Sequence, residues 1–177
     1  MLDPGLTVYF STFRTRGTWL HGDPRGSQDR YRNRYRSPKI APNETWRAEE
    51  ASRLSQPPLR LNAFMRLVVA RTIREVCEQR GWPLHELNVR TCHVHVIVAS
   101  PDSPEKTMGD LKGWCTRRLR EARLVPDDVS PWSYHGSTVY LFTQARDRAA
   151  CRYVRDEQGE DLLTMEQILE RYGEPED

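Results

Sequence analysis

Cys92-His93-Val94-His95-Val96-Ile97-Val98-Ala99 sets the frame for the rest of the chain. Side chains alternate along a strand, so His93 and His95 share one face of a sheet. Val94, Val96 and Val98 take the other face, toward a core. Two imidazoles side by side make half of a divalent-metal site. Just upstream, Glu86 to Arg90 predicts a second strand. The short connection at Thr91-Cys92 makes the two a hairpin.

Outward from this hairpin the pattern changes period. On the N-terminal side, Leu61, Met65, Val69, Ile73 and Cys77 recur every four residues, predicting a helix over 62–80. Gly81 and Pro83 end it. On the C-terminal side, Ser103 is a helix N-cap and Pro104 suits the first helical turn. Met108, Leu111, Cys115, Leu119 and Ala122 form the buried stripe of that helix. Thr7 to Arg14, rich in β-branched and aromatic residues, predicts the first strand. Residues 16–27, with three glycines and a proline, predict a loop. Ser137 to Phe142 predicts the fourth strand. Thr143 can cap a helix from Gln144 to Gln158, stopped by Gly159. Leu163 to Tyr172 predicts a short acidic helix.

The order β-α-β-β-α-β-α implies an α+β fold of ferredoxin-like (split βαβ) type. Its antiparallel sheet carries helices on one face, and a C-terminal helix follows. Residues 1–160 read as one domain, with 28–60 as an irregular basic insertion. Residues 161–177 read as an acidic C-terminal helix or tail.

A chain of 177 residues with 37% hydrophobic side chains can bury a core, which excludes wholesale disorder. No apolar run is long enough to span a membrane, and the N-terminus lacks the apolar stretch of a secretory signal. None of the four cysteines is spaced as a C-x-x-C pair, so reduced thiols and a cytoplasmic location are expected. Cys77, Cys115 and Cys151 fall in helical patterns and suit core packing. The formal net charge of +2 hides an asymmetry. Residues 155–177 carry nine acids against two arginines, a net of −7, which leaves +9 on residues 1–154. Arginine supplies nearly all the positive charge, and its planar fork suits phosphate. A polyanion partner follows. The run from Arg30 to Arg36 interleaves four arginines with Tyr31 and Tyr35, which suits a segment tracking a backbone and stacking on bases.

Several chemistries built on a His-x-His strand fail on these residues. A histidine-triad hydrolase needs a third alternating histidine, but position 97 is Ile. A two-histidine phosphoesterase needs two His-x-Thr/Ser motifs, and neither is present. A metallo-β-lactamase pattern needs an Asp-His soon after the pair, and Ser100-Pro101-Asp102-Ser103 does not supply it. The last predicted helix adds Tyr153. Glu157, four residues on, shares its helical face. Gln158 is rotated away unless the helix end unwinds toward Gly159.

The motifs now on the page resemble the single-tyrosine (Y1) transposases of the IS200 type, which carry a His-hydrophobic-His motif. They are closer still to the REP-associated tyrosine transposase branch. The resemblance rests on TFRTRGTWLHGDPRGS (12–27), NVRTCHVHVIVASPDSPEKTMGDLKGWCTRRLRE (88–121), WSYHGSTVYLF (132–142) and AACRYVRDEQGE (149–160). It implies a DNA-nicking and strand-transfer enzyme acting on single-stranded or hairpin DNA, nucleoid-associated and homodimeric. His93 and His95 would bind Mg²⁺ or Mn²⁺, and Tyr153 would be the nucleophile that forms a 5′-phosphotyrosine. A polar residue on the tyrosine helix would complete the metal site. In the IS200-type branch it stands four residues after the tyrosine, here Glu157. In REP-associated-like chains it stands five residues on, here Gln158. Both are candidates. Arg14, Arg16, Lys112, Arg117, Arg118, Arg120 and His135 are candidate DNA contacts. The alternative is a domesticated, non-catalytic nucleic-acid-binding module of the same fold.

Overall fold

A computed structural model describes residues 5–26, 40–159, 162–163 and 165–172. The arginine–tyrosine run over 30–36 and the last five residues lie outside them. The elements are β1 (Thr7–Thr15), α1 (Glu44–Ser52), α2 (Ala63–Gln79), β2 (Leu84–Val89), β3 (His93–Ser100), α3 (Pro104–Glu121), β4 (Trp132–Tyr140), α4 (Gln144–Asp156) and α5 (Met165–Tyr172). The four strands form one sheet in the order β2-β3-β1-β4, antiparallel throughout. This is the split-βαβ order expected from the sequence, with β1 and β3 in the middle.

The two faces of β3 part as the alternation predicts. Val94, Val96 and Val98 are fully buried and pack, with Phe13, against α2 and α3. Each buried valine contributes roughly 1.5–2 kcal/mol of apolar transfer. α2 buries Met65, Val69, Ile73 and Cys77; α3 buries Met108, Leu111, Cys115 and Leu119. Both helices start on a capping side chain: Ser103, as the sequence predicts for α3, and Asn62 for α2. The Asn62 side chain accepts from Met65 N at 2.9 Å, and Ser103 from Lys106 N at 3.3 Å. Gly81, at φ +63°, turns the chain out of α2, and Trp82 N donates back to Cys77 O at 2.8 Å.

The other face of the sheet carries a smaller apolar cluster of Val8, Ile97, Ala99, Leu141 and Val154, flanked by Phe10, Ala150 and Cys151. Val154 brings α4 onto this face. The sheet is therefore covered by α2 and α3 on one side and by α4 on the other. α5 packs back on α2: Ile168 is buried, and Arg66 donates to Leu163 O at 3.3 Å.

Two local expectations are corrected. The 28–60 stretch holds α1, capped by Asn43, which accepts from Trp46 N at 2.9 Å. This helix buries no residue, so it shows no apolar stripe to read. β4 begins at Trp132 rather than Ser137 and ends at Tyr140. Gly136 looks like turn punctuation in sequence. In the fold it is a strand residue where a Cβ would strike Met108 Sδ and Thr12 O, so only glycine lets α3 approach β4 this closely.

Candidate metal–tyrosine site

β1 lies beside β3 in a register that pairs Thr12 with His95 and Arg14 with His93. Directly paired residues share a face, so these four side chains project to the side where α4 lies. The imidazole centroids of His93 and His95 are 4.6 Å apart. His95 is only 7% exposed. Thr12 Oγ1 is 2.8 Å from His95 Nδ1, and Cys92 Sγ is 3.4 Å from His93 Nδ1. In each ring this leaves Nε2 as the nitrogen open to a ligand, with the other nitrogen holding the ring's orientation. Burial drives the pKa of His93 down to about 4, with Arg14, Arg90 and Arg25 adding to the effect. Burial and the neighbouring His93 bring His95 to about 4. Both imidazoles are neutral at neutral pH, the form that ligates a cation.

α4 is fixed to β2 at three points. His85 Nδ1 meets Asp147 Oδ2 at 2.9 Å, and Arg155 Nε meets Glu86 Oε2 at 3.0 Å. Asn88 Nδ2 donates to Val154 O at 2.8 Å. With Val154 buried beneath it, this helix sets Tyr153 over the sheet. The Tyr153 ring lies 6.0 Å from His95 and 6.0 Å from Phe10, and stays 41% exposed. All these groups belong to one chain.

The helix ends at Asp156, two residues short of the predicted end at Gln158. Glu157 is the C-cap and points to solvent. Gly159 follows at φ +78°. This unwinding turns Gln158 inward, and its Nε2 donates to Tyr153 O at 2.7 Å. Its side chain also hydrogen-bonds toward both His93 and His95, in the sense that favours their protonated forms. An amide oxygen accepting from the imidazoles acts in that sense. Among the described residues no group of three His, Cys, Asp or Glu side chains could hold a metal ion. A cation at the pair would therefore take two imidazoles and the Gln158 amide oxygen, a neutral donor set that suits Mg²⁺ or Mn²⁺ only with further oxygen ligands from phosphate or water.

The remaining candidates separate by position. Arg14 stands beside the pair, its guanidinium 3.1 Å from the Trp19 ring centroid. The Arg16 side chain is half-buried, and its Nε has no hydrogen-bond partner among the described residues. Lys112 is turned inward: its ammonium donates to the carbonyls of Ser133, Tyr134 and His135 at 2.9, 3.3 and 3.3 Å, and burial lowers its pKa to about 8. Arg117, Arg118 and Arg120 lie on α3, across the sheet from the histidines. Arg117 stacks over Trp114, Arg118 pairs with Glu121, and Arg120 reaches Val129 O. His135 is an exposed β4 residue, edge-on to Tyr134 at 4.6 Å.

Arg25, Arg90, Thr12 and Asn88 were not visible as site residues in the sequence. Their relation to the pair depends on strand register and on the fold of the 16–26 loop, neither of which leaves a local pattern.

The antiparallel split-βαβ sheet thus presents a histidine pair to a tyrosine on a crossing helix. The family model described as "Transposase IS200 like" matches residues 59–155, over half of the chain and including His93, His95 and Tyr153. The chain belongs to the IS200-like transposase family. No curated protein matches it. Among solved structures it is similar to one described as "Structure of the REP associates tyrosine transposase bound to a REP hairpin", at 13% identity and a TM-score of 0.49. That alignment covers 84% of this chain and 64% of the other, so this chain spans less than two thirds of that protein. Among the described residues no helix is long and apolar enough to cross a membrane.

Proposed function

We propose that this chain is a metal-dependent endonuclease and strand transferase that nicks and rejoins single-stranded DNA through a 5′-phosphotyrosine at Tyr153. The observation that carries the reading is the Tyr153 ring 6.0 Å from His95, on the same sheet face as the imidazole pair. Family membership supports DNA as the substrate, and the sequence resemblance adds hairpin ends as its context.

In the forward step the Tyr153 phenolic oxygen bonds to phosphorus and the P–O3′ bond breaks. The phenolic proton leaves to solvent, and the departing 3′-oxygen takes a proton. A phenol attacks poorly at neutral pH unless it is aligned and electrostatically assisted. The three β2 anchors of α4 and the Phe10 contact supply the alignment. A bound Mg²⁺ or Mn²⁺, held by His93, His95 and the Gln158 amide oxygen, would polarise the phosphate and offset charge on its oxygens. Thr12 and Cys92 hold the two rings in the ligating orientation. In the reverse step a 3′-hydroxyl attacks the phosphotyrosine, Tyr153 leaves, and the phosphodiester re-forms without ATP.

The test uses the full-length protein, Mn²⁺, and single-stranded oligonucleotides copied from the DNA flanking its gene, with and without their inverted repeats. A 3′-labelled oligonucleotide is expected to shift to a denaturant-resistant protein adduct. A 5′-labelled one is expected to give a shorter free product. Tyr153→Phe removes the adduct while leaving DNA binding intact. Chelation, or His93→Ala with His95→Ala, stops cleavage. DNA binding with no adduct under any of these conditions would leave the non-catalytic module as the function.

A further inference from the structure

Phe10, Thr12 and Arg14 follow one another along the site face of β1, opposite Ile97, His95 and His93 of β3. Tyr153 touches this row at the Phe10 and His95 level. Arg14 lies farther along, opposite His93, about 6.7 Å beyond the Thr12 level at ordinary strand rise. The nucleophile and Arg14 therefore flank the histidine pair from opposite ends.

Arg14 is a half-buried cation, and among the described residues no carboxylate lies within ion-pair contact of it. Its support is the Trp19 indole. Arg25 lies over the same ring, 4.1 Å from its centroid, and is held by Asp23 through Nε–Oδ1 at 2.7 Å and Nη2–Oδ2 at 2.8 Å. Trp19 is itself pinned, its Nε1 donating to Gly26 O at 2.9 Å. Asp23 contacts Arg25 directly and reaches Arg14 only through its longer-range field, which leaves the Arg14 guanidinium free of a contacting carboxylate among the described residues. The fields of Arg14, Arg90 and Arg25 all reach His93. A partly desolvated guanidinium without an acidic partner, on a rigid aromatic support, suits an incoming oxyanion. β1 and the 16–26 loop lie outside the family match over 59–155.

In a phosphoryl transfer the entering and leaving oxygens lie roughly in line across phosphorus. An attack from the Tyr153 end sends the leaving 3′-oxygen toward Arg14. We propose that Arg14 receives the backbone phosphate immediately upstream of the cut, on the strand that leaves with the 3′-hydroxyl. The inference rests on the phosphotyrosine reading above and adds the polarity of the bound strand to it. Arg14 keeps the cleaved 3′ end in place for rejoining, while the downstream strand stays on Tyr153.

The test replaces single phosphates of the cleaved oligonucleotide with neutral methylphosphonates and follows adduct formation by the full-length chain. With wild type, a neutral phosphate immediately upstream of the cut slows the adduct by about 10–30-fold, the size of a lost charge-assisted contact. Arg14→Ala slows the unmodified substrate by a similar factor and is slowed no further by the upstream replacement. A replacement just downstream slows wild type and Arg14→Ala by equal factors. Arg14→Lys keeps the charge and recovers part of the rate, and thermal midpoints show that both variants fold. Wild type indifferent to the upstream replacement overturns the inference. So does Arg14→Ala losing its sensitivity to the downstream one instead. Either result leaves the Tyr153 adduct, and hence the nuclease reading, intact. No adduct on any substrate removes both.

Discussion

At the residue scale, the choice between Glu157 and Gln158 turns on one helical step. A helix continuing past Asp156 puts Glu157 under Tyr153. The helix stops there, and Gln158 bonds back to Tyr153 O and acts on both imidazoles in its place. Gln158→Ala is expected to weaken Mn²⁺ binding and cleavage by about 10–100-fold, whereas Glu157→Gln stays within about twofold. Titration calorimetry with Mn²⁺ and the adduct assay check both. The histidines also couple the fold to pH. Their ordinary pKa near 6.5 falls to about 4 in the fold, so the unfolded chain binds more protons between these values. The stability they contribute is fully present above about pH 6.5 and is lost as pH falls to about 4. A thermal-midpoint series on metal-free protein is expected to decline across this window. The same series on His93→Asn with His95→Asn is expected to be flatter there.

At the element scale, α4 is the piece that must be held still. Its ties to β2 are individually modest: the exposed Glu86–Arg155 ion pair is screened by solvent, and the Asn88 hydrogen bond is worth about 1 kcal/mol. Their value is in alignment. Asn88→Ala is expected to cut adduct formation about tenfold while shifting the urea midpoint little and leaving DNA affinity unchanged. A large midpoint shift with no effect on the adduct would assign Asn88 to folding alone. Gly136 is the opposite case. Gly136→Ala forces Met108 aside and is expected to destabilise the fold by about 1–3 kcal/mol in urea unfolding.

Elements that bury an apolar face announced themselves in sequence. α2, α3 and the β2–β3 hairpin fell where the four-residue and two-residue periods predicted. α1 buries nothing and left no period. The start of β4 was hidden because its exposed residues and Gly136 resemble a turn. The side of the sheet on which α4 lies could not be read either. An amphipathic helix records that it packs, and not against which face.

At the scale of the whole molecule, Tyr153 and both histidines come together within one chain. Mixing Tyr153→Phe with His95→Ala protein is therefore expected to restore no adduct. Restoration on mixing would show that the tyrosine helix serves a partner's histidines. The acidic C-terminal stretch is tied in part to the body, through Ile168 and the Arg66–Leu163 contact on α2. Chain order and alternation alone determined the split-βαβ plan and the shared face of His93 and His95, and the family resemblance added the candidacy of Tyr153. The plan and the shared face depend on local periodicity and short-range geometry. Tertiary structure alone decided that Gln158 turns inward, that Thr12 and Cys92 orient the imidazoles, and that Arg14, Arg25 and Arg90 gather beside His93. Those placements depend on strand register, on where a helix frays and on how one loop folds over a tryptophan, and such long-range contacts leave no periodic trace along the chain.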